Sequence, residues 1–167
     1  MEETIAAVLA FFFASRAKFF YYLTMLLIDK MNISYIKLAI SAPRPYMIES
    51  SILPISCSKA FGSPSGHSSA AALVGILVFL DLFHGKSSPY SRPRYYGYPS
   101  YLLCLFLVLY WAISIPFTRF LLGAHSLDQI IFGSTLGLFE ALFLHFVVRD
   151  HLINHIEQVL SSHNLKS

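Results

Sequence analysis

The sequence predicts an all-α integral membrane protein, a helical bundle of about four full transmembrane helices preceded by an N-terminal half-segment. Of the 167 residues, 56% are hydrophobic and 13% are charged, whereas about a quarter of a typical soluble domain is charged. Four apolar stretches are long enough, or nearly so, to cross a bilayer as helices. Segments rich in proline, glycine and polar residues separate these stretches, as expected for connections between helices.

The first predicted span covers about residues 19–40, and a shorter apolar run precedes it at residues 5–14. That run is too short to cross a bilayer alone. Fusing it with the first span would place Arg16 and Lys18 near the bilayer centre, where charged side chains are costly. We therefore predict a break at residues 15–18 and a separate half-segment before it.

The remaining spans are predicted at residues 68–83, 101–117 and 130–148. The second is near the lower length limit for a membrane helix. Polar connections separate the spans at residues 41–67, 84–100 and 118–129. We accordingly divide the chain into an N-terminal region (1–18), a transmembrane domain (19–148) and a tail (149–167), in which a short helix is expected.

The basic residues outside the spans are distributed unequally between the two membrane faces. One face carries Arg16, Lys18, Lys86, Arg92, Arg94, Arg149 and Lys166, and the other carries Arg44, Lys59 and Arg119. The positive-inside rule assigns the first face to the cytoplasm. The second face is then expected to look toward a lumen or the exterior, with the endoplasmic reticulum or another endomembrane as the expected location. The basic residues form no nucleic-acid-binding patch.

Three groups of polar residues meet at this non-cytoplasmic face. They are Lys37 with Arg44, then Ser65, Gly66 and His67, and finally Arg119, His125 and Asp128. The first backbone N–H groups of a helix attract anions, and glycine allows a phosphate to approach the backbone closely. Arginine grips phosphate oxygens with a planar fork. Of two histidines, one can attack phosphorus and the other can protonate the leaving oxygen. The pattern predicts a phosphate site with a catalyst, and the sequence contains no metal-ligand or zinc spacing.

These motifs resemble the three-part signature of the type 2 phosphatidic acid phosphatase superfamily. The parts are Lys37 and Arg44-Pro45, Pro64-Ser65-Gly66-His67, and Arg119 with His125. The resemblance implies a phosphoric monoester hydrolase that needs neither metal nor cofactor. It implies that His125 is the nucleophile and His67 the general acid. Phosphate binding is implied for Lys37, Arg44, Ser65, Gly66 and Arg119.

The residue that orients His125 has two candidates. Many members of this superfamily carry an aspartate four residues after the nucleophilic histidine, but this chain has Gln129 there and Asp128 one residue earlier. Residues three or four apart share a helix face, so either side chain can reach the imidazole. We expect Asp128 to be the orienter, with Gln129 second; the alternative role of Asp128 is to cap the last span.

The resemblance leaves the substrate open between two classes. We expect a phosphorylated lipid, either phosphatidic acid or a sphingoid-base phosphate, and hence membrane lipids as partners. The alternative is a sugar phosphatase, because Arg44-Pro45-Tyr46 and residues 62–67 are similar to glucose-6-phosphatases. A third reading is a catalytically inactive membrane subunit that keeps the fold. A second copy of the chain or an additional membrane subunit stays open as a further partner.

Overall fold

Four long helices occupy the four predicted spans, as apolar runs of this length favour. The protein is seen as a computed structural model that describes residues 16–53, 60–84 and 98–162. Its elements are α1 (Arg16–Ile40), α2 (Pro45–Ile48), α3 (Gly66–His84), α4 (Tyr98–Leu121), α5 (Leu127–Phe143), a π-helical turn (Leu144–Val148) and α6 (Arg149–Ser162). The expected half-segment at 5–14, Cys57, and most of the 84–100 connection lie outside the described residues.

Helix α1 begins at Arg16, so the predicted break does not extend over residues 16–18. The reason is that Lys18 is buried within the bundle and its Nζ lies 3.3 Å from Oδ2 of Asp81 on α3. A paired lysine is far less costly in an apolar environment than an isolated one. Lys18, whose charge suggested a break, therefore forms an ion pair that connects α1 to α3.

Helix α3 lies at the centre and packs against α1, α4 and α5. Its approach to α5 depends on small residues, because a Cβ atom at Gly133 or Gly137 would collide with the backbone carbonyls of Ser65 and Ser69. Glycines of this kind let two helix backbones come close within a membrane. The contact at Gly133 also fixes the position of Ser65, just before the start of α3.

The outward faces of the helices are apolar. On α1 the exposed residues Leu27, Met31, Tyr35 and Leu38 recur at helical spacing. On α4 the exposed stripe is Leu103, Phe106, Tyr110, Ile113 and Phe117, and on α5 it includes Ile131, Phe139 and Phe143. An apolar surface of this extent requires lipid rather than water around it. The fold is therefore a membrane helical bundle, as the sequence predicts.

Length and hydropathy together single out one stretch among the described residues, Leu127–Val159, as long and apolar enough to cross a membrane. It is continuous because α5 passes through the π-helical turn directly into α6. The apolar parts of α3 and α4, Gly66–Asp81 and Leu105–Leu121, are shorter. The bundle thus combines one long apolar helix with three that carry polar residues at their ends.

The hydrophobic core lies toward the end of the bundle where α1 begins. It consists of Tyr21, Tyr22, Met25, Leu73, Leu77, Ala141, Leu144 and Ile153. Ile153 belongs to α6, which packs against α1. Residues 149–162, predicted as part of a tail that includes a short helix, are thus helical and are packed into the bundle. The opposite end of the bundle, where α1 ends and α3 begins, is the one that carries the candidate site.

Candidate active site

The residues predicted to bind phosphate and catalyse its transfer come from five parts of the fold that meet at one end of the bundle. Lys37 is in the last turn of α1, Arg44 precedes α2, Ser65 precedes α3, and Gly66 and His67 start α3. Arg119 lies in the last turn of α4, and His125 lies in the turn between α4 and α5. A cavity of about 310 Å³ is lined by Lys37, Arg44, Gly66, His67 and His125, among others. Lys37 and His125, which are 88 positions apart in sequence, therefore share one cavity.

The imidazole of His125 is held in one tautomer by Gln129. Nδ1 of His125 lies 3.2 Å from Oε1 of Gln129. The amide of Gln129 can have only one orientation, because its Nε2 donates to the carbonyl oxygen of Pro43 at 2.8 Å while its Oε1 accepts from the backbone N–H of Ser126 at 3.4 Å. Nδ1 of His125 is then the donor to Oε1. Its Nε2 is left with a lone pair.

That lone pair faces the cationic side of the site. Nε2 of His125 lies 3.4 Å from Nη1 of Arg44. The guanidinium is itself fixed, because its Nε donates to the carbonyl oxygen of Ala60 at 2.8 Å and its Nη1 donates to that of Ala124 at 3.1 Å. A phosphate held by Arg44 would thus be held beside the lone pair of His125.

Burial keeps His125 neutral at physiological pH. The side chain is only 3% exposed. Burial, followed by the positive charge of Arg44, lowers the pKa of His125 from 6.5 to about 4, although the hydrogen bond with Gln129 acts in the opposite direction. A neutral imidazole can act as a nucleophile at neutral pH, and an imidazolium cannot.

The positive charges of the site repel one another. Burial lowers the pKa of the Arg44 guanidinium, and the charge of Arg119 lowers it further. The charge of Arg44 in turn acts on Lys37. Cations that are brought together at a cost in free energy favour the binding of an anion, which relieves the repulsion.

The start of α3 supplies two different kinds of residue. Gly66 and His67 line the cavity, and His67 is exposed there. Ser65 is fully buried; its hydroxyl is bonded to that of Ser68 at 2.9 Å, and its backbone N–H donates to the carbonyl of Gln129 at 3.0 Å. These contacts fix the helix start, and a phosphate contact of Ser65 stays a prediction.

The two candidates for orienting His125 differ clearly in position. Gln129 is buried and touches the imidazole, whereas Asp128 is exposed in the first turn of α5. The geometry thus favours the candidate that we ranked second. Asp128 lies where an acidic residue stabilises a helix N-terminus, which is the alternative role considered for it.

Sequence reasoning missed two supports of the site. A Cβ at Gly62 would come within 2.6 Å of Nε2 and 2.7 Å of Oε1 of Gln129, so this glycine makes room for the orienting amide. Asp29, on α1, is buried and also lines the cavity. The signal for Asp29 was available, because an ionisable residue within an apolar span indicates function by default.

A second cavity, of about 460 Å³, lies on another side of His125. It is lined mostly by apolar residues from the connection after α2, the end of α4 and the start of α5, including Ile52, Leu53, Phe120 and Leu127. Within the described parts of the chain, no three or more His, Cys, Asp or Glu side chains are grouped closely enough to hold a metal ion.

Comparisons with known proteins agree with the resemblance carried by the motifs. The family model of the PAP2 superfamily matches residues 18–152. The fold is similar to that of the crystal structure described as the first transmembrane PAP2 type phosphatidylglycerolphosphate phosphatase from Bacillus subtilis, with a TM-score of 0.62 and 22% identity. The alignment covers 85% of this chain but 64% of that one, so this chain spans less than two thirds of its length. No curated protein matches the chain.

Proposed function

Because the chain belongs to the PAP2 superfamily, we propose that it is a membrane phosphatase that hydrolyses phosphate monoesters of lipids through a phosphohistidine on His125. One observation carries the proposal: a buried, neutral histidine presents Nε2 to a fixed guanidinium at 3.4 Å. A structural histidine needs no such neighbour, and no structural role requires Lys37, Arg44 and Arg119 together. The same observation argues against an inactive subunit.

In the first step, the phosphate monoester binds to the cations, beside the lone pair of His125. Nε2 attacks phosphorus and forms an N–P bond while the bond from phosphorus to the ester oxygen breaks. His67, as imidazolium, gives its proton to the departing oxygen, which leaves as an alcohol. Lys37, Arg44 and Arg119 stabilise the charge on the phosphoryl oxygens, which is the task that a metal ion performs in other phosphatases.

In the second step, water hydrolyses the phosphohistidine. His67, now neutral, accepts a proton from the water as its oxygen attacks phosphorus and the N–P bond breaks. His125 recovers its lone pair, and inorganic phosphate leaves. The hydrogen bond from Nδ1 to Gln129 is retained throughout, since the reacting nitrogen is Nε2.

The walls of the cavity support a lipid as the substrate. In an in-line displacement the leaving alcohol departs on the side opposite the attacking nitrogen. The cavity that His67 lines also has apolar lining residues. They are Ala70 and Ala71 of α3, Ile33 of α1, and Trp111 and Ile115 of α4. An apolar chain attached to the alcohol fits these walls, and the outer surfaces of α1 and α4 are also apolar. Phosphatidic acid or a sphingoid-base phosphate has this chemistry.

We further propose that the site opens on the non-cytoplasmic side of an endomembrane. The proposal rests on the distribution of basic residues between the two ends of the spans. Lys18 and Arg149 belong to the end of the bundle opposite Arg44 and His125, and that end is assigned to the cytoplasm by the positive-inside rule.

Phosphate release from purified protein in detergent tests the function. Phosphatidic acid, sphingoid-base phosphates and phosphatidylglycerolphosphate are compared with glucose 6-phosphate, each with and without EDTA. We expect hydrolysis of lipid phosphates that persists in EDTA and is inhibited by orthovanadate. Hydrolysis of glucose 6-phosphate alone would move the protein to the sugar-phosphatase class, and loss of activity in EDTA that magnesium or zinc restores would overturn the cation-based mechanism.

A further inference from the structure

A buried carboxylate lies in the same cavity as His67. Asp29 of α1 is 3% exposed and lines the cavity together with Lys37, Arg44 and His67. Its Oδ1 accepts a hydrogen bond from the hydroxyl of Ser69, which follows His67 by two positions on α3. The proposed reaction gives Asp29 no part in phosphate binding, and an anion beside a phosphate site is unfavourable unless it serves another group.

The charged groups around His67 come from every side of the cavity. Helix α1 contributes Asp29, Lys30 and Lys37, the segment before α2 contributes Arg44, and the α4–α5 turn contributes His125. Arg119 of α4 acts on Arg44. On α5, Glu140 accepts a hydrogen bond from Asn32 of α1 at 2.7 Å. Among the cavity-lining residues that the structure describes, Asp29 is the one acidic side chain.

This arrangement sets two requirements against each other. The cations needed for phosphate disfavour a further positive charge on His67, since like charges destabilise the protonated form. A general acid at position 67 must nevertheless carry its proton when the substrate is bound. A carboxylate in the same cavity resolves the conflict, because a nearby negative charge favours the protonated form of an imidazole.

We propose that Asp29 is a positioning residue for catalysis that holds His67 in the imidazolium form required to protonate the leaving oxygen. The inference rests on the proposed phosphatase function and adds to it a residue outside the three motifs. The proton that His67 donates goes to the alcohol as the phosphorus–oxygen bond breaks, and water restores it in the second step. Asp29 exchanges no proton with the substrate.

The test separates the charge of Asp29 from its hydrogen bond. Asp29→Asn removes the charge but keeps an oxygen to accept from Ser69, whereas Ser69→Ala removes the hydrogen bond but keeps the charge. Rates are measured across pH with an alkyl phosphate, namely a short-chain phosphatidic acid, and with an aryl phosphate such as p-nitrophenyl phosphate. The aryl oxygen leaves readily without a proton, so its hydrolysis depends little on an acid.

We expect Asp29→Asn to shift the alkaline limb of the pH profile for phosphatidic acid down by about 1 pH unit or more. Hydrolysis of p-nitrophenyl phosphate at pH 6 should change by less than about three-fold, since that leaving group needs no acid. Ser69→Ala should leave the alkaline limb in place. In a His67→Ala background, Asp29→Asn should have no further effect on the alkyl phosphate, because the two residues act through one proton.

An unchanged alkaline limb in Asp29→Asn would overturn the inference, as would an equal shift in Ser69→Ala. If Asp29→Asn does not fold, as judged by its thermal transition and vanadate binding, Asp29→Glu takes its place. Glu keeps the charge and should keep the wild-type limb; a limb shifted down by about 1 pH unit or more would contradict the proposal. A wild-type protein that hydrolyses none of the phosphates refutes the proposed function itself, so the two failures are distinguishable.

Discussion

At the scale of single residues, the site depends on how one imidazole is held. Gln129 accepts a hydrogen bond from Nδ1 of His125. Hydrogen bonds to the carbonyl oxygen of Pro43 and from the backbone N–H of Ser126 fix the orientation of its amide. The hydrogen bond to this neutral amide fixes the tautomer, and although it favours the imidazolium form, burial and the positive charge of Arg44 outweigh it. The combination explains how His125 is both oriented and neutral, which are the two properties that a nitrogen nucleophile needs.

Separate substitutions of the two residues that could orient His125, Gln129 and Asp128, test this arrangement. Gln129→Ala removes a buried hydrogen bond worth about 1–1.5 kcal/mol, so we expect kcat to fall about ten-fold. Asp128→Asn changes an exposed side chain and should alter kcat by less than about two-fold. Steady-state kinetics on one lipid phosphate measure both. A larger loss in Asp128→Asn than in Gln129→Ala would return the orienting role to Asp128.

The lowered pKa of His125 also predicts a pH dependence of stability. In the unfolded chain this residue takes up a proton near pH 6.5, but in the folded protein it does so only near pH 4. Between these values the unfolded state binds more protons, so stability is fully present above pH 6.5 and is lost as the pH falls toward 4.

Thermal unfolding in detergent, compared between pH 7 and pH 4.5, measures this effect. The wild-type protein should lose more stability over this range than His125→Gln, in which the titrating group is absent. Other titrating groups contribute equally to both proteins, so the difference reports on position 125. Equal losses in the two proteins would show that His125 titrates normally in the folded state.

At the scale of helices, a polar cluster stabilises the end of the bundle away from the site. Asp81 of α3 accepts from Tyr22 of α1 at 2.9 Å and from Nε of Arg149 of α6 at 2.9 Å, and it lies 3.3 Å from Nζ of Lys18. One carboxylate thus ties three helices together. Removing one partner of a buried ion pair leaves an uncompensated charge.

Asp81→Ala should therefore destabilise the bundle by about 3–5 kcal/mol. The matched control is Asp150→Ala, because Asp150 also accepts from Arg149, at 2.8 Å, but its side chain is 83% exposed. An exposed pair is worth about 0–1 kcal/mol. Chemical denaturation in mixed micelles measures the free energy of unfolding of both variants. A similar loss of stability in both would mean that the Asp81 cluster does not stabilise the bundle as a buried ion pair. Below its transition, Asp81→Ala should keep its activity, since the cluster lies away from His125.

The helices themselves were largely predictable from the sequence, whereas their ends were not. Apolar runs of helix length indicated all four long helices. The start of α1 was misjudged because Lys18 has its partner on α3, a pairing that a linear pattern does not contain. Likewise, the motifs indicated which residues meet at the site, but the choice between Gln129 and Asp128 depends on how α5 begins relative to Pro43.

At the scale of the whole molecule, the two ends of the bundle have different tasks. The end with Asp81 carries the hydrophobic core, and the end where α3 begins carries the proposed active site. Helix α3 connects the two, since it carries His67 at its start and Asp81 near its end. The family match over residues 18–152 spans both ends. The central claim is that the end where α3 begins hydrolyses phosphate monoesters through a phosphohistidine on His125.

Trapping the phosphoenzyme tests that claim most directly. The protein is mixed with a 32P-labelled lipid phosphate and quenched in alkali, in which phosphohistidine survives and phosphoserine does not. The account predicts a labelled, acid-labile protein in the wild type and a more slowly formed one in His67→Ala. His125→Ala should give no label, and Asp128→Asn should be labelled like the wild type. A label that persists in His125→Ala, or turnover of the lipid phosphate by that variant at a near-normal rate, would contradict the account.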